Sequence, residues 1–359
     1  MSRLWDRIVT RALVTGGSGY FGALLLAQLA EHQQDVRNFD VNPPDAVSGQ
    51  FVQGDIRDYA AIRAACDGID VVYHNVAQVP LARDRELFES VNVTGTSNLL
   101  RAATEAGVHK VVVTSSSAVF GVHATNPVTE DSPLAPAEAY GKAKADAEQL
   151  CHQAAAAGLD VTIIRPRTIL GHGRLGIFGI LFDWIADGAD VFVIGSGDNR
   201  YQFVHADDLA RACRLAGERS GPRIYNIGAT EFGTMRESLE ALVAHAGTGS
   251  RVRSLPLRPA RLGMAVASKL GLAPFAAYHW LGYSMSLWFD TTRARTELGW
   301  EPAYSNEAMF IDSFEWFLKN RGDLDGANRS SHNSPARQGG LRALKAVARL
   351  PHAFSRRQA

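Results

Sequence analysis

The chain has 359 residues, 46% hydrophobic and 21% charged, which is enough apolar surface for a large core and too much for wholesale disorder. Its 37 basic and 37 acidic residues cancel, which argues against a nucleic-acid binder. The balance is uneven along the chain: residues 326–359 carry seven basic residues and no acidic ones, so residues 1–325 carry 30 basic against 37 acidic, a net of −7.

In chain order, Ala12-Leu13-Val14-Thr15 reads as a strand ending in a glycine cluster, and Ala23 to His32 as a helix. Val36 to Asp40 is a second strand, and a short one precedes Gly54. Tyr59 to Asp67 is helical, Val71 to His74 extended, and Val93 to Gly107 a long helix with Gly107 as its stop. Val111 to Thr114 and Val161 to Ile164 are strands flanking a helix over Ala139 to Gly158. This alternation predicts an α/β fold, a doubly wound parallel sheet of Rossmann type. Phe203-Val204-His205 and Ile224 to Ile227 read as returns to that sheet, and residues 230–318 as mainly helical. The expected division is a dinucleotide-binding unit over 1–172, a smaller, mainly helical substrate region over 173–319, and a basic flexible tail over 320–359.

Cys66, Cys151 and Cys213 are too scattered for a disulfide framework or a zinc site, and read as ordinary thiols of a reducing, cytoplasmic compartment. No metal site is expected. No secretory signal is read at the start, where Arg3, Asp6, Arg7 and Arg11 interrupt the sequence. The most apolar run, Ile177 to Ile194, is broken by Asp183, Asp187 and Asp190, so no membrane span is expected.

Gly16, Gly19 and Gly22 stand between the first strand and the first helix, with Tyr20 and Phe21 among them. A phosphate needs backbone N–H groups without an intervening β-carbon, and it gains from the positive end of a helix. Asp40 ends the second strand, 24 residues after Gly16. Its carboxylate can accept from ribose hydroxyls and would repel a 2′-phosphate, which favours NAD over NADP. Asp55 and Ile56 are placed to flank an adenine, while Asp58 can cap the next helix. Tyr140 and Lys144 are four apart on one helix face. A neighbouring ammonium favours the phenolate, making the pair an acid–base relay for an alcohol or carbonyl. Ser115-Ser116-Ser117 follows a strand at the end where doubly wound sheets bind ligands.

With these motifs the sequence resembles the extended short-chain dehydrogenase/reductase family, the NAD-dependent epimerase/dehydratase group, and is also similar to its 3β-hydroxysteroid dehydrogenase branch. The matching residues are Thr15-Gly16-x-x-Gly19-x-x-Gly22, Asp55 with Asp58, Ser115-Ser116-x-x-Val119-Phe120-Gly121, Tyr140-x-x-x-Lys144, Arg165-Pro166 and His205-Ala206-Asp207-Asp208, with Thr291 to Pro302 later. The resemblance implies that Tyr140 is the general acid or base. Lys144 then holds the nicotinamide ribose, and Ser116 hydrogen-bonds the reacting oxygen. It makes His74-Asn75-Val76-Ala77 the loop passing the cofactor, with Asn75 and Ala77 in contact and Asn92 supporting the loop. It also implies a homodimer through the two long helices.

The family's 4,6-dehydratases carry an Asp-Glu pair where this chain has Ser117-Ala118, which leaves net oxidoreduction or epimerisation. Thr168 stands where nucleotide-sugar enzymes often have a substrate-touching Asn, and Arg200 lies one residue early for their diphosphate arginine. Ser117, Thr168, Arg167 and Arg200 are the substrate candidates, with Arg174 a further phosphate partner. The leading expectation is a nucleotide-sugar 4-epimerase or related oxidoreductase. The apolar stretch Leu262 to Phe289 supports the alternative of a steroid or lipid-alcohol dehydrogenase. A non-catalytic NAD-binding regulator is the third reading. In the tail, Arg342, Lys345 and Arg349 share one face of a short helical pattern, which suggests weak contact of residues 341–357 with an anionic membrane surface.

Overall fold

The computed structural model describes residues 10–45, 49–78, 85–121, 125–174, 176–256, 285–323 and 345. Six strands alternate with helices through the first half: β1 (Arg11–Thr15), β2 (Asp35–Asp40), β3 (Gln50–Gln53), β4 (Val71–His74), β5 (Lys110–Thr114) and β6 (Val161–Pro166). With β10 (Arg223–Ile227) they form one seven-stranded sheet in the order β3-β2-β1-β4-β5-β6-β10, and every pairing is parallel. Strands such as Val71–His74 are buried along their whole length because helices cover both faces.

One face packs α1 (Tyr20–Glu31) and α7 (Ala206–Glu218) through Leu25, Leu29, Leu209 and Ala212. The other packs α2 (Tyr59–Ala65), α4 (Gly95–Ala106) and α5 (Ala139–Ala156) through Ile62, Leu99, Ala103 and Cys151. Asp58 caps α2, accepting from Ala60 N at 2.9 Å. Gly107 ends α4 at φ +70°. The start of that helix differs from the sequence reading. A short α3 (Arg85–Leu87) passes through a π-helical stretch, Phe88–Thr94, into α4. All three cysteines are buried and unpaired.

Two short parallel pairs lie outside the main sheet, β7 (Thr168–Leu170) with β9 (Phe203–His205) and β8 (Val191–Ile194) with β11 (Val252–Leu255). Phe203–His205 is therefore a strand as expected, but it pairs with Thr168–Leu170 and does not return to the main sheet. Short apolar runs specify extension, not partners. A second core, rich in Phe182, Phe203, Phe310 and Phe314, is built by α6 (Gly176–Ala186), α8 (Met235–Ala246) and α10 (Asn306–Asn320). Between α8 and α10, α9 (Thr292–Leu298) leads to Trp300, whose indole N–H donates to the Asp208 carbonyl at 2.8 Å.

Most of the apolar stretch 262–289 and of the tail lies outside the described residues. Lys345 is described, and its ammonium pairs with Asp187 at 2.8 Å and with Asp183. Among the described residues no helix is long and apolar enough to cross a membrane.

Candidate active site

The order of the main sheet reverses between β1 and β4, and a crevice opens there at the carboxyl ends of the strands. It holds a cavity of about 530 Å³. The glycine turn forms one wall. Gly16 has φ +75°, and its N–H donates to the Phe39 carbonyl at 2.8 Å. A β-carbon on Gly22 would stand 2.1 Å from the Gly16 carbonyl oxygen, so the helix can start this close to the turn only with glycine. Gly19 caps α1 with no side-chain hydrogen bond and no acidic residue in the first turn. The positive helix end is not neutralised by its own sequence.

Asp40 lies at the edge of this turn. Its carboxylate accepts from Ser18 N at 3.1 Å and Asn42 N at 3.0 Å. Asp55 and Ile56 line the same cavity, and the Arg57 side chain hydrogen-bonded to Asp55 holds its carboxyl below the usual range. Tyr20 and Phe21 also line it. The Tyr20 hydroxyl is buried without a partner among the described residues, and burial raises its pKa.

The loop after β4 is fixed from below. Asn92 accepts from Gln78 N at 2.7 Å and returns a bond to the Gln78 carbonyl at 3.2 Å. Thr96 donates to the Asn92 carbonyl, so it receives the proton on His74 Nε2, leaving Nδ1 bare to accept from Thr15. Burial, aided by the Lys144 charge, pushes His74 down to about 3 and keeps it neutral. Asn75 Oδ1 accepts from Thr114 at 2.6 Å, while Asn75 Nδ2, on the cavity wall, is buried without a partner among the described residues.

Ser116, Tyr140 and Lys144 line the cavity together. Glu138 caps α5 by accepting from Gly141 N and Tyr140 N, which sets Tyr140 in the first turn. Lys144 is buried one turn on and donates to the Thr114 carbonyl at 2.9 Å. Burial pushes its ammonium down to about 8. Ser116 Oγ accepts from Ala118 N at 3.2 Å, a bond that leaves the hydroxyl its own proton to donate. Ser115 has a different task. It bonds Glu148, which pairs with Arg165 inside the fold.

Of the substrate candidates, Ser117, Thr168 and Arg167 line the cavity, as does Arg174. Arg200 does not. Its guanidinium lies against the Phe232 and Trp288 rings, 4.9 Å from each, and is not part of the cavity wall. Arg200 is held by an antiparallel bridge to Thr234 and by Leu287 N, which donates to its carbonyl at 2.9 Å, contacts that its place in sequence does not announce. The sequence reading also missed Thr114, which holds both Asn75 and Lys144. Its position as last residue of a central strand is the signal that marks it.

The profile described as NAD dependent epimerase/dehydratase family matches residues 12–228. The chain belongs to this family. It is 50% identical over 347 residues to the uncharacterized protein y4nG of Sinorhizobium fredii, covering 96% of this chain and 88% of that one. It is 32% identical to sterol demethylase protein B of Methylococcus capsulatus, over 85% of this chain and 97% of that one. A UDP-glucose-4-epimerase from Stenotrophomonas maltophila, solved with NAD and formylated UDP-arabinopyranose, shares the fold with a TM-score of 0.73 at 24% identity, covering 88% and 99%. NAD is the cofactor of this epimerase/dehydratase chain, and the cavity fits it. The Gly22 contact leaves a cradle that a β-carbon would fill, the α1 start offers uncapped N–H groups, and Asn75 Nδ2 lacks an acceptor.

Proposed function

We propose that the chain is an NAD-dependent enzyme acting at a secondary alcohol or ketone of a nucleotide-sugar. The reaction is 4-epimerisation or a related oxidoreduction, and not 4,6-dehydration. The observation that carries this reading is that Ser116, Tyr140 and Lys144 share one cavity with the glycine turn. In it, Tyr140 exchanges a proton with the reacting oxygen and Ser116 donates a hydrogen bond to it. Lys144, anchored on Thr114, keeps positive charge beside the phenol and the ribose site. Asp40 holds the adenosine ribose, and Asn75 and Ala77 border the cofactor's path. NAD, when bound, takes up or returns the hydride.

Eliminating water requires an acid to protonate the leaving hydroxyl, and Ser117 and Ala118 cannot supply one. Arg167 and Arg174 on the cavity wall favour an anionic substrate such as a nucleotide-sugar. A second reading, a sterol or lipid-alcohol dehydrogenase, draws on Leu87, Val91, Ile169, Ile177 and Phe178 of the same wall. The sterol demethylase relative points the same way. We further propose a homodimer through α4 and α5, which light scattering tests.

The test incubates the full chain and NAD with UDP-glucose, UDP-galactose or a 3β-hydroxysteroid, following absorbance at 340 nm and product identity. A 4-epimerase interconverts the UDP-sugars without net NADH. Steroid-dependent NADH with no sugar conversion would overturn the first reading in favour of the second.

A further inference from the structure

Two arginines, Arg165 and Arg167, stand two residues apart at the end of β6, and the fold treats them differently. Arg165 lies over the Phe120 ring at 4.9 Å. Its guanidinium also pairs with Glu148 at 2.6 Å and donates to the Glu130 carbonyl at 3.0 Å. The Arg167 guanidinium carbon is 4.7 Å from the Tyr201 ring and 5.3 Å from the Phe289 ring, and the residue is 1% exposed. None of its three guanidinium nitrogens has a hydrogen-bond partner among the described residues.

Aromatic rings compensate the faces of a guanidinium, but its N–H donors lie at the edge, in the plane. The group cannot escape by losing its proton. A buried charge with unmet donors is among the costliest arrangements a fold keeps. Arg165 shows that this fold supplies acceptors to an arginine whose role is structural. The acceptor for Arg167 is then expected from the cavity whose wall it shares with Ser116, Ser117, Tyr140 and Thr168.

We propose that Arg167 is the seat of a substrate carboxylate, so that the enzyme takes an acidic substrate whose acid group lies near the reacting carbinol. This rests on the reading above and narrows it. Two rings crowd the guanidinium, and its unmet donors lie along the planar edge. A planar carboxylate matches that edge with two parallel N–H···O bonds. Thr168, bonded to the Tyr201 hydroxyl at 2.9 Å, stands beside this slot. Folding has already stripped the guanidinium of water, so the arriving anion meets a preorganised charge.

The test is thermal unfolding of the NAD-loaded full chain in sodium acetate, inorganic phosphate or chloride at matched ionic strength, for wild type, Arg167→Met and Arg167→Lys. Acetate should raise the wild-type Tm by at least about 2 °C over chloride. Arg167→Met should melt no lower than wild type in chloride and lose the acetate shift. Arg167→Lys, which keeps the charge without the planar fork, should lose most of it. An unresponsive wild type, together with an Arg167→Met protein melting well below it, would make Arg167 a structural residue and overturn the proposal. A larger shift with phosphate than with acetate would overturn the carboxylate assignment. In parallel, UDP-glucuronate should bind wild type at least tenfold more tightly than UDP-glucose, and the two should bind Arg167→Met equally. Failure of both sugars to bind while the acetate shift persists would sink the nucleotide-sugar reading and leave the carboxylate seat standing.

Discussion

Lys144 links stability to chemistry in a way that can be measured. Burial pushes its pKa from 10.5 to about 8. Between those values the unfolded chain binds more protons at this group than the folded chain does, so stability rises with pH across that window. At about 1.4 kcal/mol per pKa unit, keeping the ammonium charged in the fold at neutral pH costs about 3 kcal/mol. Lys144→Met preserves length and removes the charge, but leaves the Thr114 carbonyl without its donor, a loss of roughly 1 kcal/mol. The variant should therefore be about 2 kcal/mol more stable than wild type at pH 7 while losing turnover. The advantage should shrink as pH rises through 8 and be gone near 10.5. Urea unfolding of both proteins without NAD at pH 7 and pH 10 measures it. A variant less stable at pH 7, or an advantage independent of pH, would refute the argument that Lys144 is held charged at a cost.

Substitutions at four further positions probe the rest of the site and its support. Tyr140→Phe should lower kcat by about 10²–10⁴-fold with NAD affinity unchanged, since only the proton relay is removed; near-normal turnover would exclude the phenol as the acid–base group. Asp40→Ala should weaken NAD more than NADP, and it also releases Ser18 N and Asn42 N, so equilibrium binding of both cofactors is the check. Gly22→Ala drives a β-carbon into the Gly16 carbonyl and should cost about 1–3 kcal/mol along with NAD binding, seen in calorimetry. Glu148→Ala strands the buried Arg165 and should destabilise by about 3–5 kcal/mol in urea, with Glu148→Gln milder.

The parallel sheet was legible because its strands are short, β-branched and separated by helices with clear stops. Asp58 and Gly107 act where local chemistry says they should, and the strand ends fall within a residue or two of the sequence reading. What failed was pairing. Phe203–His205 carries an apolar run like those of the main sheet, yet its partner is Thr168–Leu170, a choice made by the second core and not by the strand itself. The π-helical entry to α4 was also out of reach. It arises where Asn92 must face the loop at Gln78 while Phe88 packs by Tyr140, with ring centroids 6.2 Å apart, a demand made by tertiary contacts.

The site shows the same divide. The glycine turn, Asp40 and the Tyr140–Lys144 spacing are local patterns and could be read directly. The arginines could not, because Arg165, Arg167, Arg174 and Arg200 differ only in what folds around them. One ends in a buried ion pair, two on the cavity wall, of which Arg167 is buried beside aromatic rings, and one outside the cavity.

Charge followed a similar course. The sequence divides into an acidic body and a basic tail, and the tail was read as facing an anionic surface. Lys345 meets Asp183 on α6 and Asp187 one residue beyond it, where Arg321 also pairs, and the rest of residues 341–357 lies outside the described residues. Asp183 belongs to a helix whose first turn supplies Ile177 and Phe178 to the cavity wall. Any anionic surface that recruits the tail must first compete with these two carboxylates, so a tail–body ion pair and a tail–surface contact exclude one another at Lys345.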